Sequence, residues 1–258
     1  MTIQDTAPSN IQNMLQPLTK EGLHFNCHPG VPCFTECCRD LNLLLTPYDM
    51  VRLKNHLALT ADDFLDRYTE SRFDDKRNVA MIYLRMRDDE RRTCPFVAAA
   101  GCTIYPDRPS ACRIYPLARA SRMNRVHGNV QEDYFVLQED HCRGFEEDHV
   151  WSADEWIKDQ GLQLYHELNN LWMAIVTHSR VRNGALSVKQ QQMFFLASYN
   201  VDQFRKFVLN SRFLQLFDLP EEQTEAIRAS DEDLLRLAFK WLSFSLCNEP
   251  ALSMRQSQ

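Results

Sequence analysis

The chain has 258 residues, of which 44% are hydrophobic and 25% charged, and its formal net charge is -6 at pH 7. This composition is that of an ordinary globular protein, and the negative charge disfavours a nucleic-acid-binding surface. Only 7 glycines occur, and no two form a G-x-G pair. The dinucleotide fingerprint and the P-loop are therefore excluded, because both need closely spaced glycines.

Residues 1–22 are polar, contain Pro8 and Pro17, and show no sustained hydrophobic period. We expect them to form a loosely ordered lead-in. The start of the chain lacks the basic and apolar runs of a signal peptide. No apolar stretch approaches the roughly 20 residues of a membrane-spanning helix. We therefore expect no membrane association and a cytoplasmic location, where thiols stay reduced.

The pattern of residues 23–150 is mixed. Short apolar or alternating runs predict strands at 41–45, 79–87, 102–105 and 133–138. Thr46 and Thr60 are predicted helix N-caps, since an aspartate follows each of them three residues later. Pro47 suits the first position of the helix after Thr46.

After Trp151 the pattern becomes helical. Ser152 with Glu155, and Ser230 with Asp233, have the spacing of helix-starting caps. A single apolar helix face is predicted from Leu164, Leu168, Leu171 and Ile175. No strand signal follows residue 150, and the aromatic and methionine residues at helical spacing are expected to be core.

The predicted fold class is α+β. A small cysteine-rich mixed α/β metal-binding region is followed by an all-α helical region. The predicted segments are a lead-in at 1–22, a cysteine-cluster domain at 23–150 and a helical region at 151–258. The helical region is expected either to support the cysteine domain or to dock a protein partner.

Eight of the nine cysteines are concentrated in the first half of the chain: Cys27, Cys33, Cys37, Cys38, Cys94, Cys102, Cys112 and Cys142. Clustered cysteines in a reducing compartment favour metal ligation over disulfides. Their spacings include no C-x2-C pair, which structural zinc sites prefer. Iron–sulfur clusters accept a wider range of spacings, so an iron–sulfur cluster is slightly favoured over Zn²⁺. Cys247 stands apart and is expected to pack in the core.

Arginines flank these cysteines. Arg39 and Arg113 directly follow a cysteine, and Arg108 lies between Cys102 and Cys112. Because guanidinium offers five fixed donors, we expect these three arginines to hydrogen-bond thiolate sulfurs or nearby carbonyls. Ordinary surface charge is the alternative. His28 and His141 also adjoin cysteines and are possible alternative ligands.

The order of these motifs resembles the CxxCxxCC cysteine-cluster family of the YkgJ type. The matching motifs are Cys37-Cys38-Arg39, Cys94-Pro95-Phe96, Gly101-Cys102, Ile104-Tyr105, Arg108-Pro109 and Cys112-Arg113-Ile114-Tyr115-Pro116. The resemblance covers residues 25–145 and implies chelation of zinc or iron. The first cluster is spaced C-x5-C-x3-C-C, whereas the family name denotes C-x2-C-x2-C-C.

Two other functions stay open. The same family includes flagellin lysine N-methylases, so the resemblance also allows a protein-lysine methyltransferase, although no loop for a methyl donor is recognisable. The third possibility is a thiol redox switch that forms disulfides on oxidation. No catalytic residue is predicted, because no Ser/His/Asp order or paired-carboxylate motif stands out.

Overall fold

In the computed structural model, which describes residues 15–124, 129–184 and 186–255, short antiparallel sheets precede a long series of helices. Helices contain 47% of the residues and strands contain 18%. The strands are β1 Leu15–Pro17, β2 Leu23–His24, β3 Leu44–Leu45, β4 Thr69–Asp74, β5 Val79–Leu84, β6 Val97–Ala98, β7 Gly101–Cys102, β8 Leu117–Asn124, β9 Asn129–Leu137 and β10 Val150–Trp151. The predicted α+β class, with a mixed region before a helical one, is confirmed.

The helices follow the capping signals closely. They are α1 Pro47–His56, α2 Ala61–Tyr68, α3 Ser110–Ile114, α4 Ala153–Asp159, α5 Gln163–Val176, α6 Ser179–Arg182, α7 Val188–Tyr199, α8 Val201–Asn210, α9 Phe213–Leu216, α10 Glu221–Ala229 and α11 Asp231–Leu242. Thr46 and Ser152 form complete capping boxes at the starts of α1 and α4. The hydroxyls of Thr60 and Ser230 each accept from the amide three residues later, at 3.1 Å. None of the helices in the described ranges combines the length and hydropathy that crossing a membrane demands.

By its internal contacts the chain divides into two units. Unit 1 comprises the described part of Met1–Asn42 together with Met86–Leu164, and unit 2 comprises Leu43–Arg85 with the described part of Tyr165–Gln258. This division differs from the linear boundary at residue 150 expected from the sequence, since residues 43–85 group with the C-terminal helices. The cysteine-rich unit is therefore discontinuous in sequence.

Unit 1 is built on an aromatic core beneath small sheets. Strands β1, β9 and β8 form one antiparallel sheet, while β10 pairs with β2 and β6 with β7. The Phe25 ring makes edge contacts with Tyr115, Phe145 and Trp156 at centroid distances of 6.0, 5.3 and 5.6 Å. Such contacts add to the stabilisation gained by burying the rings. Cys142 packs against this core.

Unit 2 joins the sheet β3-β5-β4 to most of the helices. Three basic and acidic side chains connect its helices: the Lys54 ammonium lies 3.0 Å from Asp231 and 3.4 Å from Asp202. Lys54 is only 6% exposed. A lysine this buried is normally tolerated only when it is paired.

Several predicted elements differ from the structure. Leu171 is 42% exposed, so its place on the predicted α5 face was wrong, whereas Leu168 and Ile175 are buried as predicted. The buried face also carries Tyr165, Trp172 and Val176, which the leucine spacing did not include. The predicted strand at 102–105 is reduced to Cys102 in β7, because residues 105–107 form a 3-10 turn around Pro106.

The expected lead-in lies only partly within the described residues. Residues 1–14 are outside them. Strand β1 pairs with β9, and the Leu18 amide donates to the Tyr134 carbonyl at 3.4 Å. These residues therefore have regular pairing where a loose segment was expected.

Candidate metal centre

The eight N-terminal cysteines all belong to unit 1, and Cys247 belongs to unit 2. All nine lie within the described ranges, and all are thiols rather than disulfides. Among the eight, only Cys94 is buried, whereas Cys27, Cys37 and Cys112 are exposed. Cysteines that merely fill a core are expected to be buried. The exposure of these thiols therefore argues against a packing role for the group.

Backbone pairing joins the first cysteine cluster to the second. A 3-10 turn spans Glu36–Cys38, and the chain then runs antiparallel to the segment before Cys94. The Cys94 amide donates to the Cys38 carbonyl at 2.8 Å, and the Asp40 amide donates to the Arg92 carbonyl at 3.0 Å. This pairing brings Cys38 and Cys94 together although residues 43–85 separate them in sequence.

A tight hairpin then positions Cys102. Strands β6 and β7 place it opposite Val97, whose amide donates to the Cys94 carbonyl at 3.2 Å. Gly101 has a φ of 117°, and a Cβ there would stand 3.0 Å from the Phe34 ring. Glycine is the residue that takes this conformation without strain. The hairpin thus depends on the Gly101-Cys102 pair recognised in the sequence.

The last cysteine, Cys142, is anchored from two sides. The Arg143 amide donates to the Cys33 sulfur at 3.0 Å, which brings Cys33 beside Cys142. Gly144 then packs so closely that a Cβ would lie 2.7 Å from both the Asn26 carbonyl oxygen and the Phe25 ring. The absence of a side chain at residue 144 is what lets this loop lie against the strand that leads to Cys27.

Seven of the eight thiols interact electrostatically with at least one other thiol: Cys27, Cys33, Cys37, Cys38, Cys94, Cys102 and Cys142. Although the Cys27 residue is exposed, partial desolvation of its thiol by the surrounding groups, reinforced by neighbouring thiols, raises its pKa to about 11. Burial likewise raises the pKa of Cys94 to about 11 and that of Cys102. A hydrogen bond with Cys38, followed by burial, raises the pKa of Cys37. Several of these groups are therefore neutral thiols near pH 7.

Cys112 is linked to the group through Arg108, which interacts with both Cys112 and Cys102. The Arg108 guanidinium lies 3.8 Å from the centre of the Tyr105 ring and donates to the Tyr105 carbonyl at 2.7 Å. Its charge lowers the pKa of Cys102, although burial outweighs this effect. Arg108 is thus a positive charge that acts on two of the predicted ligands.

Arg113 and Arg108 converge on Gln160, a buried residue that the sequence did not single out. Arg113 donates to the Gln160 carbonyl at 2.7 Å and to the Pro106 carbonyl at 2.5 Å. Arg108 donates to the Gln160 side-chain oxygen. Arg39 instead pairs with Glu36, and is less buried than the other two. Arg108 and Arg113 therefore contact carbonyls close to the cysteines, which is one of the two contacts expected of them.

Neither adjoining histidine points clearly to a ligand role. The His28 Nε2 atom lies 3.1 Å from a Glu147 carboxylate oxygen, and its Nδ1 atom accepts from the Gly30 amide at 3.1 Å. Both ring nitrogens of His28 are thus engaged. The His141 Nε2 atom lies 3.8 Å from a Glu139 carboxylate oxygen.

Two further residues lie in the thiol group and were missed from the sequence. Tyr115 interacts with Cys142 and Cys37, and burial together with these neighbours raises its pKa. Glu139 interacts electrostatically with Cys37 and Tyr115. The sequence holds a signal for Tyr115, because residues 102–106 and 112–116 share the pattern Cys-x-Ile-Tyr-Pro. This pattern places a tyrosine three residues after each of the two cysteines.

A cleft of about 490 Å³ lies beside Cys142. Its other lining residues are Gln16, Gln138, Glu139, Asp140, Arg143, Phe145 and Glu146. In the side-chain conformations of the described residues, no set of three or more His, Cys, Asp or Glu side chains has metal-binding geometry. The donor chemistry nevertheless fits zinc or iron, because both accept several thiolate ligands.

Comparison with known proteins agrees with this donor chemistry. Residues 26–143 match the model of the CxxCxxCC family, which is described as a "Putative zinc- or iron-chelating domain". The match covers somewhat less than half of the chain and includes all eight cysteines of unit 1. Searches of curated proteins and of solved structures found no match. The resemblance carried by the cysteine motifs is therefore confirmed over residues 26–143, where the chain matches the CxxCxxCC family.

Proposed function

We propose that unit 1 binds iron or zinc through up to eight cysteine thiolates. The proposed ligands are Cys27, Cys33, Cys37, Cys38, Cys94, Cys102, Cys112 and Cys142. The observation that carries the proposal is that two sequence-distant cysteine clusters meet in one unit, where seven thiols interact with one another. The unit keeps these polarizable groups in contact and partly open to solvent, as metal loading requires.

Metal binding would compensate the electrostatic cost of forming several thiolates close together. Each thiolate formed would repel its neighbours, and burial already disfavours the charged form of Cys27 and Cys94. A bound cation removes both costs, because thiolates are the ligating form and the metal balances their charge. Binding is thus expected to displace protons from the thiols.

An iron–sulfur cluster is the form we propose, with zinc as the alternative. The absence of C-x2-C pairs supports iron, because structural zinc sites favour that spacing. The positive charge of Arg108 near Cys102 and Cys112 suits the net negative charge of either centre. A cluster would supply one-electron transfer, whereas zinc bound by thiolates alone would stabilise the fold.

Elemental analysis with a visible absorption spectrum tests the proposal, using the full chain purified without air and without a histidine tag. Iron with acid-labile sulfide and a brown colour would support the cluster. Colourless protein with one or two zinc ions would support the alternative and overturn the iron assignment. Absence of stoichiometric metal, even after reconstitution with iron and sulfide or with zinc, would overturn metal binding.

A thiol redox switch is the second candidate, because the Arg143 amide donates to the Cys33 sulfur and so places Cys33 beside Cys142. Hydrogen peroxide would oxidise this pair to a disulfide, with both thiol protons leaving in two molecules of water. Mass analysis of peroxide-treated, metal-free protein tests this. A reversible Cys33–Cys142 disulfide supports a switch, and unselective oxidation of all exposed thiols contradicts it. Methyl transfer and partner docking by the helical region stay predictions without a supporting contact.

A further inference from the structure

The Tyr115 hydroxyl lies beside the thiols and lacks a good hydrogen-bond partner. Its oxygen is buried, and no described residue meets it with a well-aligned hydrogen bond. The Cys142 thiol lies within hydrogen-bonding reach. The Tyr115 ring is held against Phe25 at a centroid distance of 6.0 Å. The hydroxyl is therefore fixed beside Cys142 but poorly satisfied.

A buried hydroxyl without a good partner destabilises the folded chain. A neutral thiol relieves this only weakly, because its sulfur is a poor hydrogen-bond acceptor. A thiolate carries a full negative charge, and hydrogen bonds to ionised acceptors are shorter and stronger. Since metals bind the thiolate, metal loading would provide the acceptor that Tyr115 lacks.

We propose that Tyr115 is a positioning residue whose hydroxyl donates a hydrogen bond to the metal-bound thiolate of Cys142. This inference rests on the proposed metal-binding function. Groups beside ligands commonly orient them and change metal affinity roughly 10- to 100-fold. Tyr115 thus couples the aromatic core of unit 1 to the metal centre through a single hydrogen bond.

The groups around the hydroxyl are consistent with donation towards sulfur. Cys142, Glu139 and Cys37 all interact with Tyr115, and none of them carries a positive charge. Glu139 is the competing acceptor. It lines the solvent-filled cleft and is 33% exposed, so water can satisfy its carboxylate. Cys142 lines the same cleft, but the hydroxyl has Cys142 within hydrogen-bonding reach, whereas its interaction with Glu139 is electrostatic only.

Tyr115→Phe removes the hydroxyl and keeps the ring. Tyr134→Phe is the matched control, because Tyr134 packs on the same core while its hydroxyl donates to Glu132. Metal affinity is measured by competition of Zn²⁺ with a coloured chelator. The energy of the sulfur-to-metal charge-transfer band is measured after loading with Co²⁺. Thermal unfolding is followed with and without metal.

We expect Tyr115→Phe to weaken Zn²⁺ binding roughly tenfold or more at unchanged stoichiometry. The Co²⁺ band should move to longer wavelength, because the sulfur loses a stabilising hydrogen bond. Without metal the variant should be as stable as the parent or more stable, since a poorly satisfied hydroxyl is gone. Tyr134→Phe should lower stability and leave both metal readouts unchanged.

Unchanged affinity and band position in Tyr115→Phe would overturn the inference. Loss of metal-free stability without a metal effect would show that Tyr115 is purely structural. Glu139→Gln identifies the competing acceptor: if it reproduces the whole effect of Tyr115→Phe, the assignment to Cys142 is wrong. Failure of the parent chain to bind Zn²⁺ or Co²⁺, and also iron after reconstitution with sulfide, would refute the proposed function itself, which is a separate result.

Discussion

The amide of Cys94 donates a hydrogen bond of 2.8 Å to the carbonyl of Cys38. This contact places the last residue of the first cysteine cluster beside the first residue of the second. Because the two backbones hold each other, a change in the ligands of one cluster is expected to affect the other.

Cys102→Ser or Cys112→Ser should lower the metal content of the purified protein and its stability together. Bound metal stabilises a fold by about 4 kcal/mol when its free concentration is about a thousand times the dissociation constant. Loss of ligands removes part of this stabilisation. Cys247→Ser is the control, since Cys247 is buried in unit 2. Metal loss in Cys247→Ser would show that the assignment of the nine cysteines is wrong.

Arg113→Ala should destabilise unit 1 by about 2–3 kcal/mol, the range for charged hydrogen bonds to buried partners. The change leaves the Gln160 and Pro106 carbonyls without their present donor. Metal content should fall as well, because Arg113 follows Cys112 in the same short helix. Arg122→Ala, at a side chain 60% exposed, should change stability by less than about 0.5 kcal/mol. Unchanged stability and metal content in Arg113→Ala would refute this role.

Gly144→Ala should cost about 1–3 kcal/mol, as is usual when an extra carbon is forced into a packed site. The new Cβ would collide with the Asn26 carbonyl and the Phe25 ring. The collision separates the strand before Cys27 from the loop of Cys142, so metal affinity should fall too. Gly161→Asn is the comparison: a Cβ there would come no closer than 4.0 Å to its nearest neighbour, the Arg113 guanidinium, and asparagine tolerates the left-handed backbone. Chemical denaturation of both variants should rank Gly144→Ala as the less stable.

Lys54→Met should destabilise unit 2 by about 1.5–3 kcal/mol, the range for losing a hydrogen bond to a charged group. Asp202 loses its ammonium partner, whereas Asp231 keeps Arg205 and Asn55 as partners. Burial alone would raise the pKa of Asp231, but Asn55 and Lys54 outweigh it and hold the pKa below 3.8. This contribution is therefore complete above about pH 4 and is lost as the pH falls through the pKa of the folded state.

Acid unfolding of Lys54→Met should accordingly depend less steeply on pH below about pH 4. Lys240→Met is the control, because Lys240 is exposed on α11. An identical acid profile in the parent and in Lys54→Met would show that the ion pairs do not contribute to stability.

The apparent affinity for metal should rise with pH between about pH 6 and 9. Burial raises the pKa of Cys27 and of Cys94 to about 11, so both must lose protons to become ligands. Each proton released adds up to a tenfold increase in affinity per pH unit. Calorimetric titration with Zn²⁺ in buffers of different ionisation enthalpy counts these protons. Proton release of zero would contradict ligation by the thiols.

Local signals in the sequence were sufficient for the helix starts. Thr46 and Ser152 cap their helices as predicted, because capping depends on neighbours only three residues away. The clustered cysteines likewise indicated the family over residues 26–143. The ligand assignment itself stays a prediction.

Long-range contacts were not available to the sequence argument. Gln160 accepts hydrogen bonds from both Arg108 and Arg113 although it lies about 50 residues further along the chain. No local sequence pattern predicts these contacts. The exposure of Leu171 was missed because the spacing of the leucines does not show which side of α5 is covered by tertiary packing. The grouping of residues 43–85 with the C-terminal helices also depends on tertiary packing, which no local pattern in the sequence shows.

The interruption of unit 1 by residues 43–85 also has a consequence during protein synthesis. A ribosome makes the thiols from Cys27 to Cys38 first, and then a complete stretch of the other unit before Cys94 emerges. The first thiols thus leave the ribosome without their partners. The full set of proposed ligands exists only after Cys142 has been translated, so the centre that we propose cannot be completed with metal before that point.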